Sequence, residues 1–152
     1  ACAALYRRAM LDDIAIWDEY FDEDFVAYWE DVDLDWRAQL KGWRCLYVPK
    51  AVGYHMRGGS GLQRRSEVAA CHLTNRILMV IKNDEITHLL QDAAPFVARS
   101  VRDLRNILRV SPQAMPLVVK MLLRKAPRAL MKRRLIARSK RISSSYIRGL
   151  IR

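Results

Sequence analysis

Residues Phe21 to Gly61 read FDEDFVAYWEDVDLDWRAQLKGWRCLYVPKAVGYHMRGGSG, and the parsing of this stretch decides the fold. Within Glu30 to Lys41, the apolar residues Val32, Trp36 and Leu40 recur every four positions, the spacing of one helical stripe. Gly42 follows where a helix needs a residue tolerant of left-handed backbone to stop. Trp43 to Val48 is rich in aromatic and β-branched residues and predicts a strand, ended by Pro49. Ala51 to His55 predicts a second short strand, and Met56 to Gly61 a glycine-rich loop.

Working outward, the first six residues, ACAALY, read as a buried strand that already lies inside a fold, with no initiating methionine and no signal peptide. Arg7 to Ile14 predicts a short helix, and Trp17 to Asp24 an acidic, aromatic loop. From Leu62 the pattern turns helical, with Val68, Cys71, Leu73, Ile77, Leu78 and Ile81 on a broad apolar face. Asn83-Asp84 predicts a break. Further helices are expected over 93–109, 112–125 and 127–141, punctuated by Pro95, Pro112, Pro116 and Pro127. The last residues, 142–152, read as a frayed tail or a short helix.

Charge divides the chain in the same place. Residues 1–60 hold seven Lys+Arg against eleven Asp+Glu, whereas 61–152 hold twenty against five, and no acid follows Asp103. With 51% apolar residues the chain is expected to fold. Its longest apolar runs, Ile77–Ile81 and Met115–Val119, fall far short of the ~20 residues that span a bilayer. Cys2, Cys45 and Cys71 match no metal-ligand spacing and read as small buried hydrophobes of a reducing cytosol.

Glu30, Asp31, Asp33 and Asp35 place four carboxylates within six residues. Acids at a helix N-terminus are favoured by the macrodipole, which is one reading of the cluster. A site for acid–base chemistry is the other. Asp33 and Arg37 stand four apart on the predicted helix and can pair there, a structural role. His55, a lone histidine beside an apolar stretch, reads by itself as a structural histidine, and Tyr28 and Trp29 read as core aromatics.

Taken in order, the strand, the Arg7-Arg8 pair, the short helix, Phe21-Asp22-Glu23, Glu30-Asp31-x-Asp33-Leu34, Arg37, Gly42-Trp43, Val48-Pro49 and His55 resemble the C-terminal signature of family 2 glycosyltransferases. The resemblance covers residues 1–61, extends loosely to Asn75-Arg76, and is nearest to rhamnosyltransferase-like and galactofuranosyltransferase-like enzymes. It implies an α/β fold: the C-terminal portion of a GT-A domain over 1–61, followed by a basic helical extension over 62–152. It implies an inverting, metal-dependent hexosyl transfer from a nucleotide-sugar donor to a lipid-linked or other glycan acceptor, in cell-surface polysaccharide synthesis. Asp31 matches the general base, and Glu30 and Trp29 would hold the acceptor. His55 matches a ligand for Mg²⁺ or Mn²⁺, and Arg57, Gly58 and Gly59 belong to a loop that orders over the donor. The family's Asp-x-Asp motif has no counterpart in the right context, since Asp22-Glu23-Asp24, Asp31-Val32-Asp33 and Asp33-Leu34-Asp35 lie in the wrong segment. The nucleotide-binding half is therefore expected to be absent, and the isolated 152 residues to transfer no sugar.

The tail from residue 104 carries fourteen Lys+Arg interleaved with Leu117, Val118, Met121, Leu122, Leu130, Met131, Leu135 and Ile136. Cationic, amphipathic helices suit the surface of an anionic membrane, which would place the protein in the cytoplasm, peripheral at the inner face of the cell membrane. A solvated helical face accounts for the same pattern. Nucleic acid is disfavoured as a partner, because Tyr146 is the sole aromatic after Phe96. A non-catalytic basic helical module, binding membrane or nucleic acid, is the alternative to the enzyme.

Overall fold

The computed structural model describes residues 3–55 and 65–151. Among the described residues seven helices follow in order: α1 (Arg8–Ile14), α2 (Glu30–Leu40), α3 (Arg65–Asn83), α4 (Ile86–Gln91), α5 (Ala93–Val110), α6 (Ala114–Ser139) and α7 (Ser144–Ile151). About two thirds of the described residues are helical, and no strand or sheet occurs among them, so the expected α/β GT-A architecture is corrected to an all-helical one. Among the described residues the sole β-type pairing is an isolated bridge between Ile16 and Glu19.

The physical reason is visible at the three expected strands. A strand needs a hydrogen-bonding partner along its edge. The segments 3–7, 43–48 and 51–55 have none among the described residues, and run extended with Leu5, Leu46, Tyr47, Val52 and Tyr54 turned to solvent. Their β-propensity is real, but propensity reports fit to a pleated, half-buried surface rather than an intrinsic backbone choice. The cysteine reading also changes: Cys45 is exposed and Cys71 half-buried, both free thiols.

α3 is the central helix. Ala70 and Leu73 pack with Ala114 and Val118 of α6, and with Ile107 of α5. Further along, Leu78 and Met79 meet Ala129, Phe25 and the rings of Trp29 and Trp36. Residue numbers rise together along both helices, so α3 and α6 run parallel. α5 runs antiparallel to α3, with Arg76 reaching back to Ser100 and Asp103. α1 packs Met10 and Ile14 against Leu34 and Ala38 of α2. Each fully buried Leu or Met here contributes about 1.5–3 kcal/mol.

Local chemistry sets the ends of α2. Gly42 adopts φ +87°, the left-handed turn that stops the helix where its sequence position predicts. The Leu40 carbonyl then accepts the backbone N–H groups of Arg141 (2.8 Å) and Ile142 (3.0 Å), tying the chain after α6 to the end of α2. Val32, expected on the buried stripe, is exposed; the buried face carries Asp33, Leu34, Arg37, Ala38 and Leu40 instead.

Pro127, expected to separate two helices, lies inside α6. Its missing N–H leaves the Leu123 carbonyl without its helical donor. Leu123 and Pro127 are both exposed, so the gap lies on the solvent side of the helix. Val118 before the proline and Ala129 after it are buried against α3, and packing on both sides carries the helix through.

Candidate functional site

The four carboxylates of α2 separate by direction. Asp33 is fully buried and saturated: it accepts from Arg37 Nε at 3.0 Å, Asn83 Nδ2 at 2.6 Å and Lys82 Nζ at 2.7 Å. The pairing of Asp33 with Arg37 is the structural one its spacing predicts. Arg37 spends its remaining donors on the carbonyls of Ile14 and Tyr20, both at 2.7 Å. Lys82 also pairs with Asp22, and Lys132 of α6 donates to Asp22 at 2.6 Å, Glu19 at 2.8 Å and Asp24 at 3.2 Å. An ionic seam therefore joins the acidic loop, α2, α3 and α6. Burial pulls the Asp22 carboxyl up, but the Lys82 charge and the Lys132 and Lys82 hydrogen bonds outweigh it and hold Asp22 at about 2.

Glu30, Asp31 and Asp35 lie outside that seam. Asp31, in the first turn of α2, is half-buried, and its carboxylate accepts the Val32 N–H at 2.8 Å. Burial raises its pKa, and the hydrogen bond from the Val32 amide lowers it. Asp35 is shifted upward, by burial and then by the Asp31 charge. Tyr6 stands in the same field: burial, then Asp35, Asp31, Cys45 and Glu30, push its hydroxyl up to about 12.

The approach to Asp31 is strained. Tyr28 and Trp29, consecutive bulky residues, hold φ +68° and +72°. Left-handed backbone at such residues costs about 1–3 kcal/mol each and persists only where surroundings over-determine it. Asn75 of α3 provides the clamp, donating from one side-chain nitrogen to the carbonyls of Ala27 (2.8 Å) and Tyr28 (3.0 Å). The Tyr28 ring stacks on His72 at 4.0 Å between centroids, and Trp29 wedges into the core beside Leu78 and Met79. The Tyr6 hydroxyl, Trp29 Nε1 and Glu30 Oε2 are buried with no hydrogen-bond partner among the described residues. Buried polar atoms are nearly always paired, and unpartnered ones recur elsewhere among the described residues, at Asn75 Oδ1 of the clamp and Asn83 Oδ1 of the seam.

Other expected site residues are not gathered there. His55 is exposed at the end of the extended segment 51–55. Among the described residues no three His, Cys, Asp or Glu side chains converge as a metal shell would require. The described residues therefore do not fit a complete divalent-cation site. Arg57, Gly58 and Gly59 lie outside the described residues. A separate cavity of about 370 Å³, lined by Ile14, Ile16, Leu40, Ile136 and Arg138, opens near the far end of α2 from Asp31.

The clamp by Asn75 and the lysines of the seam escaped sequence reading. Their signal was faint: Asn75 and Lys82 stand seven apart, two turns along the inner face of a helix whose apolar pattern dominates. No family model, curated protein or solved structure matches this chain.

Proposed function

We propose that this chain carries the catalytic-base portion of an inverting glycosyltransferase, with Asp31 as the base. The observation that carries the reading is the strained Tyr28-Trp29 turn, which sets Asp31 in the first turn of α2 within a motif order resembling family 2 enzymes. An alcohol is a poor nucleophile at neutral pH. In the proposed step Asp31 takes the proton from an acceptor hydroxyl as that oxygen bonds to the anomeric carbon of a nucleotide-sugar. The bond from that carbon to the nucleotide diphosphate breaks, the diphosphate leaves with the electron pair, and attack from the opposite face inverts the centre. Glu30 and Trp29 hold the acceptor, a lipid-linked or other glycan of cell-surface polysaccharide synthesis.

Mg²⁺ or Mn²⁺, held with groups beyond the described residues, would supply stabilisation of charge on the departing diphosphate. His55 would supply one ligand at most, and Arg57, Gly58 and Gly59 would belong to the donor-side loop. The proposed setting is cytoplasmic, peripheral at the inner face of the membrane; no helix among the described residues is long and apolar enough to cross one.

The test is a transfer assay in the complete gene product containing these residues. Asp31→Asn should lower the transfer rate by about 10²–10⁴-fold, the usual contribution of a general base, while nucleotide-sugar binding stays as in the parent. Unchanged transfer would overturn the assignment. The 152 residues alone should transfer no sugar, so turnover by the isolated chain with a nucleotide-sugar and a lipid-linked acceptor would contradict the expected division of the site.

A further inference from the structure

The fold sorts the cations of α6 by direction, which composition does not reveal. Arg128 and Lys132 turn inward to Glu19, Asp22 and Asp24, Arg133 donates to the Ile81 carbonyl, and Lys125 is buried. Lys140, just past the helix end, reaches Glu85, and Arg141 holds Asp13. These charges are consumed by the protein itself. The opposite face is built differently. Val119, Leu123 and Leu130 are about half to three-quarters exposed, and their helical positions fall within about 40° of one another. Beside that apolar ridge lie the exposed cations Lys120, Arg124, Arg134 and Arg138, none of which has an ion-pair partner among the described residues. No acidic residue follows Asp103, so the helix supplies no counter-charge of its own.

We propose that this outer stripe of α6 is a docking surface for an anionic lipid bilayer, with the helix lying in the plane of the interface. The proposal rests on the peripheral-membrane part of the reading above and is independent of the chemistry at Asp31. Two features on one face argue for lipid. The unpaired cations match a negatively charged headgroup layer, and the ridge of Val119, Leu123 and Leu130 gains from entering the acyl boundary. Long Lys and Arg side chains beside the ridge keep their charges at the headgroups while their stems cover apolar surface. Duplex nucleic acid would attract the charges but leave the leucines in water, and the stripe has no aromatic ring to stack on bases. From Pro116 to Arg138 the stripe extends about 33 Å, enough to hold the helix flat rather than by one end.

The experiment is co-sedimentation of the chain with phosphatidylcholine vesicles and with vesicles of about three parts phosphatidylcholine to one of phosphatidylglycerol. Binding to the anionic vesicles should be at least about tenfold stronger, and should weaken as salt is raised. The pairs Leu123→Ser with Leu130→Ser, and Arg124→Gln with Arg134→Gln, should each reduce it by about tenfold or more. All four side chains are on the outer face, and an unfolding midpoint verifies that each pair folds; two pairs of different chemistry keep the test decisive if one does not. Asp31→Asn should bind vesicles as the parent does, which separates failure here from failure of the catalytic reading. Absent binding, equal binding to both vesicles, or binding untouched by either pair would overturn the proposal. So would duplex DNA that competes the chain off anionic vesicles while the leucine pair has no effect.

Discussion

Asp33 and Asp31 stand two residues apart on one helical turn, and the fold treats them in opposite ways. Asp33 is sealed from solvent and receives three donors from Arg37, Asn83 and Lys82. Asp31 sits half-buried beyond a strained turn and accepts the Val32 N–H. The difference teaches that a dense acidic motif is not one functional unit. A helix rotates about 100° per residue, so alternate carboxylates face different neighbours. One is absorbed into an ionic seam that assembles the fold, and the other, outside that seam, accepts the Val32 N–H and is the proposed base.

The largest expected effect breaks the seam. Lys82→Met leaves Asp22 and Asp33 without a shared cation in a buried site, and should cost about 3–5 kcal/mol of stability by urea unfolding. A loss under 1 kcal/mol would mean that the seam is not what couples α3 to the acidic loop. Asn75→Ala removes both donors from the Ala27 and Tyr28 carbonyls and should cost about 2–3 kcal/mol. In the transfer-competent protein it should also slow transfer, because the turn that sets Asp31 loses its clamp. Transfer at the parent's rate in Asn75→Ala would argue against the clamped turn as the positioning device.

Acid should weaken the seam next. The Asp22 carboxyl is held at about 2 in the folded chain against an ordinary 3.8, so its contribution is complete above pH ~4 and is lost as pH falls through about 2. That amounts to about 2 kcal/mol between those limits. Asp22→Asn should flatten this part of the stability profile. The smallest effect concerns the helix end: Gly42→Ala places a Cβ on a residue at φ +87°, at a cost of about 1–2 kcal/mol, with Ile142 at an ordinary contact distance of 3.5 Å.

Much of the helical order was legible. Gly42 ends α2, Asn83-Asp84 separates α3 from α4, and the span expected at 93–109 matches α5 closely, because each signal acts through local backbone chemistry. The expected strands were not formed, since a strand depends on a neighbour that local sequence does not supply. Pro127 misled for a related reason: its local penalty is met by packing of Val118 and Ala129 on a helix more than forty residues earlier. At the candidate site Asp31 was identified by motif order alone. The strain at Tyr28-Trp29 and its clamp by Asn75 were not legible, because they arise from a contact across forty-seven residues. The inward and outward sorting of the tail's cations was likewise set by tertiary pairing rather than by charge count.

The most direct test of the account compares transfer rate per folded molecule in Asp31→Asn and Asp33→Asn versions of the complete gene product. The account predicts a loss of about 10²–10⁴-fold for Asp31→Asn at unchanged unfolding midpoint, and for Asp33→Asn a lowered midpoint with the surviving folded fraction still turning over. Equal rates in the two variants, or a fall in stability alone for Asp31→Asn, would contradict it.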